Sequence, residues 1–251
     1  MGFASTARDG WRALGELPDV EHDVLLHFAF VTRELAAARG HEAYVAANVA
    51  ITTTVLEAIA RHAPRVAYAS SGAVHLPGGL ATNPYGVLKR LDEHALRDAT
   101  GGRCFVARVF NVAGPWATKP TAFALTDLIT QAQSGAASLR VRAPRPVVRS
   151  YVDAEDLAAL MIAAAGTGAV VETAGDEEIE VGELARRIAP DLPVARPPLD
   201  PALAPDRYVG DAVGFAAACA RHGVTLRGLD EQIARTRAYL STVSAPGGTG
   251  A

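Results

Sequence analysis

Tyr85 and Lys89 lie four residues apart, directly after Pro84, in a stretch whose apolar spacing predicts a helix over residues 85–99. That spacing puts a phenol and an ammonium one turn apart on one helix face, where both can act on a single bound molecule. An ammonium beside a phenol favours the phenolate and brings it nearer to exchanging protons with an alcohol at neutral pH. With two lysines in the chain against twenty-two arginines, the Tyr-to-Lys pairing stands out from composition alone. Fourteen residues upstream of Tyr85, Ser70 and Ser71 close the apolar run RVAYAS, a predicted strand. Open α/β sheets bind ligands at the carboxyl edge of their strands, so a serine hydroxyl there can reach Tyr85.

The elements needed to hold these groups follow from hydrophobic periodicity. Residues 23–30 (DVLLHFAF) read as a strand buried on both faces, and residues 41–62 as a long helix. The step repeats with a strand at 65–70, a Gly/Pro-rich loop, the helix at 85–99 and a strand at 103–110, which predicts a parallel sheet. Further on come helices near 122–134, 153–165, 181–188, 211–221 and 228–243, and strands near 138–142, 147–152 and 169–175. Prolines across 190–205 argue against regular pairing there, and the tail 244–251 is expected to be mobile.

Composition narrows the function. Of the 251 residues 49% are hydrophobic and 20% charged, the range of a globular protein able to bury its own core. A net charge of −3 with scattered basic residues offers no surface for nucleic acid or anionic lipid. The longest apolar run, residues 157–165, falls far short of the roughly 20 residues of a membrane helix. No leader is readable in residues 1–20, so a cytoplasmic protein with no membrane partner is expected. Cys104 and Cys219 are expected to be free thiols, and no cluster has metal-ligand spacing.

The order of these motifs resembles the extended short-chain dehydrogenase/reductases, the NAD-dependent epimerases and dehydratases of nucleotide sugars. DVLLHFA is similar to that family's fourth strand, and Asn48 with Thr52, Thr53 and VLEA to the helix that follows it. YASSGAV resembles the serine-bearing fifth strand, YGVLK the catalytic Tyr/Lys pair, and ARVFNVAGP the sixth strand with its Asn and Gly-Pro. RSYVDAEDLAALM looks like the Arg-x-Tyr/Phe-Val-x-x-x-Asp segment, and VGELARRIA and GLDEQIARTRAYL look like the closing helices. The likeness runs over roughly residues 20–243.

What the resemblance implies is specific. Tyr85 would be the acid/base, Lys89 would lower its pKa and hold the nicotinamide ribose, and Ser71 would hydrogen-bond the reacting sugar oxygen. Ala29, Asn48 and Ser70 would complete the NAD or NADP side, although an Asn near a helix start also reads as a cap. Asn111 would position a nucleotide-sugar-like substrate, with Arg149 and Arg207 turned toward its diphosphate, where a guanidinium fork matches phosphate oxygens. Family dehydratases carry an Asp-Glu pair after the fifth-strand hydroxyl. Gly72 and Ala73 stand there instead, which leaves epimerisation or ketone/alcohol reduction. His75 stands where a Tyr is common in the family.

One departure is large. The family's glycine-rich βαβ unit, which grips the cofactor pyrophosphate, has no counterpart ahead of residue 20, and none of Gly78-Gly79, Gly101-Gly102 or Gly247-Gly248 replaces it. Two charge-assisted hydrogen bonds and a helix end would be lost with it, on the order of 5 kcal/mol. The expected fold is therefore an α/β, N-terminally truncated doubly wound (Rossmann-like) parallel sheet of about four strands with a small mixed α/β substrate region. The cofactor part is expected over 20–115 with 153–175, and the substrate part over 116–152 with 176–243. Residues 23–30 become a sheet edge, through which a homodimer would form unless a longer chain covers it. Three functions remain: an NAD(P)-dependent epimerase or reductase of a nucleotide sugar, a cofactor-independent isomerase using the same Tyr/Ser/Lys group, and a non-catalytic binding or assembly subunit.

Overall fold

The computed structural model describes residues 1–4, 10–31, 37–38, 40–117 and 119–244. These fall into two compact units, Met1–Val109 with Leu160–Val171, and Phe110–Ala159 with Glu172–Ala251.

The first unit is built on a four-stranded sheet. Strand β3 (Val24–His27) pairs in parallel with β4 (Arg65–Ser71), and β4 in parallel with β5 (Phe105–Val109). Strand β10 (Val170–Glu172) flanks β5, so the order is β10-β5-β4-β3, and β3 stands at the edge of this sheet, as expected for residues 23–30. The edge strand is shorter than residues 23–30. Pairing ends at His27 opposite Tyr68, and within β3 only Leu25 and His27, which share one face, are buried.

Helix α1 (His41–His62) follows β3, and its buried residues Tyr44, Asn48, Thr52, Val55, Ala58 and Ile59 recur at helical spacing. By length and composition it could cross a membrane. Here its Val55, Ala58 and Ile59 join a core with Leu25, Val66, Tyr68, Leu96 and Val106. Helix α2 (Pro84–Ala99) starts where the sequence marks it. Asn83 caps it by accepting from the Gly86 N–H at 3.1 Å, and Pro84 sits in the first turn, where its fixed φ suits a helix.

Residues 1–20, in which the sequence shows no glycine-rich βαβ unit, form short elements at their described positions. Strand β1 (Gly2–Ala4) pairs in parallel with β2 (Trp11–Ala13), and a 3₁₀ turn over Leu14–Asp19 places Leu17 in the core of this unit.

The second unit has helices α3 (Ala124–Gln133), α5 (Val181–Ile188), α6 (Ala212–Arg221) and α7 (Leu229–Ser244), with α4 (Ala154–Ala164) crossing the boundary. Its strands are short: β6 (Val112–Ala113) with β9 (Val152–Asp153), β7 (Leu139–Arg140) with β12 (Val194–Ala195), and the sheet β11-β8-β13 of Ile179–Glu180, Val147–Arg149 and Asp206–Tyr208. The proline-rich stretch does pair, at Val194–Ala195, where the carbonyls of Pro193 and Ala195 accept from the N–H groups of Leu139 and Val141 and no proline N–H is needed. Leu125, Leu128, Ile129, Leu139, Leu184, Ile188 and Ile233 form its core. The expected mobile tail lies outside the described residues beyond Ser244, which closes α7. Cys104 and Cys219 are free and buried, and burial pushes their thiols up to about 12 and about 11.

Candidate active site

The first unit holds Ser71, Tyr85 and Lys89 within two consecutive elements. Ser71 ends β4, and its hydroxyl oxygen accepts from the Ala73 N–H at 3.2 Å, opening a 3₁₀ turn over Gly72–His75. Helix α2 docks its first turn against that same turn. A side chain at Gly86 would place its Cβ 2.2 Å from the Ala73 carbonyl oxygen, so only glycine permits the approach. The Asn83 amide donates to the carbonyls of Ala73 (3.3 Å) and Leu76 (3.1 Å), fastening the start of α2 to the turn after Ser71. Asn83 and Gly86 thus fix Tyr85 relative to Ser71. Neither carries chemistry of its own, but an Asn-Pro pair at a helix start is a capping signal readable in sequence.

One turn on, Lys89 is only 4% exposed. Its ammonium donates to the Ala69 carbonyl at 2.8 Å and lies over two rings, Phe30 at 4.2 Å and Tyr68 at 4.7 Å. Burial lowers it to about 8, against the pull of Asp92 and Glu93. The ring of Phe30 also meets Tyr85 edge-on, with centroids 5.4 Å apart.

Beneath this group lies a buried polar layer that periodicity concealed. Asp92 accepts from Thr52 at 2.7 Å and from the Tyr68 hydroxyl at 2.8 Å. Burial raises the Asp92 carboxyl, and burial with the facing Asp92 raises Tyr68 further. Glu93 accepts from Ser70 at 2.5 Å and takes both Nε and Nη2 of Arg108, at 3.1 and 2.9 Å. His27 stacks on Tyr68 with centroids 5.0 Å apart. Burial and the charge of Lys89 lower it to about 3, so it is neutral.

Of the residues placed on the cofactor side, Ser70 spends its hydroxyl on Glu93. Asn48 is not a cap, because α1 begins at His41 and Asn48 lies two turns inside it. Its side chain accepts from the Val31 N–H at 2.8 Å and donates to the Tyr44 carbonyl at 3.0 Å, which ties down the chain just after Ala29 and Phe30. Ala29 is half-buried on that stretch.

Asn111, Arg149 and Arg207 belong to the second unit. The Asn111 amide donates to the carbonyls of Ser150 (3.1 Å) and Tyr208 (3.0 Å). Arg149 bonds the Asp206 carbonyl at 2.9 Å and the Asp206 carboxylate at 3.0 Å, while Arg207 forks onto Glu178. The structure does not bring the two arginines together. Arg149 sits in register with Tyr208, and Arg207 with Val148, so they point to opposite faces of one sheet and cannot clamp one diphosphate side by side. Among the described residues no group of three or more His, Cys, Asp or Glu could hold a metal ion.

A parallel sheet with a Ser-Tyr-Lys group at the end of a central strand defines a Rossmann-like α/β protein with acid/base groups suited to a hydroxyl. The NAD dependent epimerase/dehydratase family model matches residues 8–182, and the chain belongs to that family. No curated protein matches it in sequence. Among solved structures it is similar to UDP-glucuronic acid 4-epimerase from Bacillus cereus in complex with NAD, at 17% identity and a TM-score of 0.70, covering 95% of this chain and 83% of that one. RMD from Pseudomonas aeruginosa, complexed with NADPH, is 22% identical with a TM-score of 0.71, covering 95% and 93%. UDP-N-acetylglucosamine 4-epimerase from Methanobrevibacter ruminantium, in complex with UDP-N-acetylmuramic acid, is 17% identical with a TM-score of 0.71, covering 91% and 80%.

Proposed function

We propose that this protein is an NAD(P)-dependent epimerase or ketone/alcohol reductase acting on a nucleotide sugar. The observation that carries the reading is the docking of the first turn of α2, which holds Tyr85, against the turn after Ser71 through Gly86 and Asn83, with Lys89 one turn on donating to Ala69 of β4. The fold neighbours crystallised with NAD, NADPH and UDP-sugars support it.

The residues present suit the ribose end of a nicotinamide dinucleotide. Lys89 has one hydrogen-bond acceptor among the described residues, the Ala69 carbonyl, and the rings of Phe30 and Tyr68 lie beside its ammonium. Such an ammonium has donors to give to ligand hydroxyls. When bound, the nicotinamide supplies the hydride acceptor and donor for alcohol/ketone interconversion. In this reading the Tyr85 oxygen takes the proton of the reacting hydroxyl during oxidation and returns it on reduction. Ser71 hydrogen-bonds that same oxygen and fixes its distance from Tyr85. Gly72 and Ala73 follow Ser71, so neither of the two positions directly after it carries an acid or base for removing water.

Two copies pairing through edge strand β3 complete the reading, and sedimentation at micromolar concentration tests for that dimer. For catalysis, the purified chain is incubated with NAD⁺ or NADP⁺ and UDP-hexoses, and the epimer or ketone is resolved by chromatography. Tyr85→Phe is expected to cut turnover about 10³-fold with the melting temperature unchanged. Turnover that survives in that variant, or no saturable binding of NADH or NADPH by calorimetry at millimolar concentration, overturns the assignment.

A further inference from the structure

The stem of Lys89 is packed inside the first unit, and its ammonium is closed over by Phe30. The ring centroid lies 4.2 Å from Nζ, the ring edge meets Tyr85, and a third contact joins Phe30 to Tyr44 with centroids 6.3 Å apart. Tyr68 covers the ammonium from another side at 4.7 Å, and the Ala69 carbonyl takes one N–H. Tyr68 is anchored in the fully buried layer by Asp92 and cannot leave without breaking it. Phe30 differs: it is half-buried, its side chain has no hydrogen-bonding group, and it follows the last paired residue of β3 by three positions. Among the described groups around Lys89, Phe30 is the one whose side-chain movement breaks no hydrogen bond.

We propose that Phe30 is a displaceable cap on Lys89 that sets how readily a vicinal diol, such as the ribose of a nicotinamide dinucleotide, reaches the ammonium. The diol part rests on the function proposed above. The ring face holds the cation through its quadrupole but accepts no directed hydrogen bond, so a ligand offering hydroxyl oxygens can replace it. The hydrogen bond from the Val31 N–H to the Asn48 side-chain oxygen anchors the next residue, which confines the motion to the Phe30 side chain.

The two lysines of the chain make this measurable without turnover. Amine labelling by reductive methylation, read by mass spectrometry of the Lys89 and Lys119 peptides, uses exposed Lys119 as an internal standard. In the native protein Lys89 is expected to label at least tenfold more slowly than Lys119. Phe30→Ala should raise the Lys89 rate about tenfold and tighten NADH binding several-fold in calorimetry. Phe30→Leu, which keeps the apolar volume and removes the π face, should give a smaller rise and guards against a fold lost in the alanine variant. Unchanged Lys89 labelling in both variants, or weaker NADH binding in them, overturns the cap. Failure of native and variant proteins alike to bind NADH or NADPH overturns the proposed function, and the labelling rates still decide whether Phe30 covers Lys89.

Discussion

Lys89 in the first unit and Arg149 and Arg207 in the second are all cations that the sequence offers to a ligand, and the structure treats them in opposite ways. Each arginine is matched by a carboxylate, Asp206 for one and Glu178 for the other. Lys89 is buried with a carbonyl and two rings around it, and its nearest carboxylates are committed elsewhere, Asp92 to Thr52 and Tyr68, Glu93 to Ser70 and Arg108. A cation whose hydrogen bonds are complete contributes to structure. One that is desolvated with donors to spare carries an unfavourable electrostatic cost that a ligand can relieve. This contrast is the ground on which the proposed function assigns chemistry to Lys89 rather than to Arg149 or Arg207.

Lys89→Met should break the comparison most visibly. Loss of the ammonium is expected to lower kcat for the proposed oxidoreduction by about 10²-fold, measured with saturating NAD(P)⁺. The same residue predicts a pH effect. Its pKa is lowered in the fold, from 10.5 toward about 8, so between those values the unfolded chain holds more protons and stability rises with pH. Activity that needs the ammonium falls over the same range, and chemical denaturation at pH 7.5 and pH 10 should show the stability slope vanish in Lys89→Met.

His27 extends the test to acid. It stays neutral in the fold down to about 3, whereas the unfolded side chain takes a proton below 6.5, so stability falls as pH drops through that window. His27→Phe keeps the stack on Tyr68 and removes the buried ring nitrogens, one of which, Nε2, has no partner among the described residues. The variant should gain roughly 3 kcal/mol relative to the native protein at pH 4 compared with pH 7, read from urea midpoints.

The arginines should respond more weakly. Arg149→Met removes partly buried bonds to Asp206 and should cost about 1–2 kcal/mol in urea unfolding, with kcat within a few-fold of native. Arg207→Ala breaks an exposed pair and should cost less than about 1 kcal/mol. A large rise in substrate KM for either one, without loss of stability, would show that the carboxylate gives way to a phosphate and would collapse the distinction.

Periodicity located most of the scaffold. The helices at 41–62, 84–99 and 181–188 lie where apolar spacing and capping residues put them, because each buries one stripe against a sheet or helix whatever its neighbours. The structure in residues 1–20 was not legible, since β1 and β2 are three residues each and carry no usable period. Lys89, Asp92 and Glu93 posed the opposite difficulty. Their spacing is that of a solvated salt-bridged face, and in the fold this same face is buried against β4 and α1.

The sequence by itself determined the family, the parallel α/β plan, the edge position of β3 and the one-turn spacing of Tyr85 and Lys89, because these depend on local pattern and on the order of motifs. Only the tertiary structure decided which charges are paired, that Phe30 covers Lys89, and that Arg149 and Arg207 face apart. Those outcomes hang on strand register and on contacts between residues distant in the chain, where a shift of one position turns a side chain to the other face.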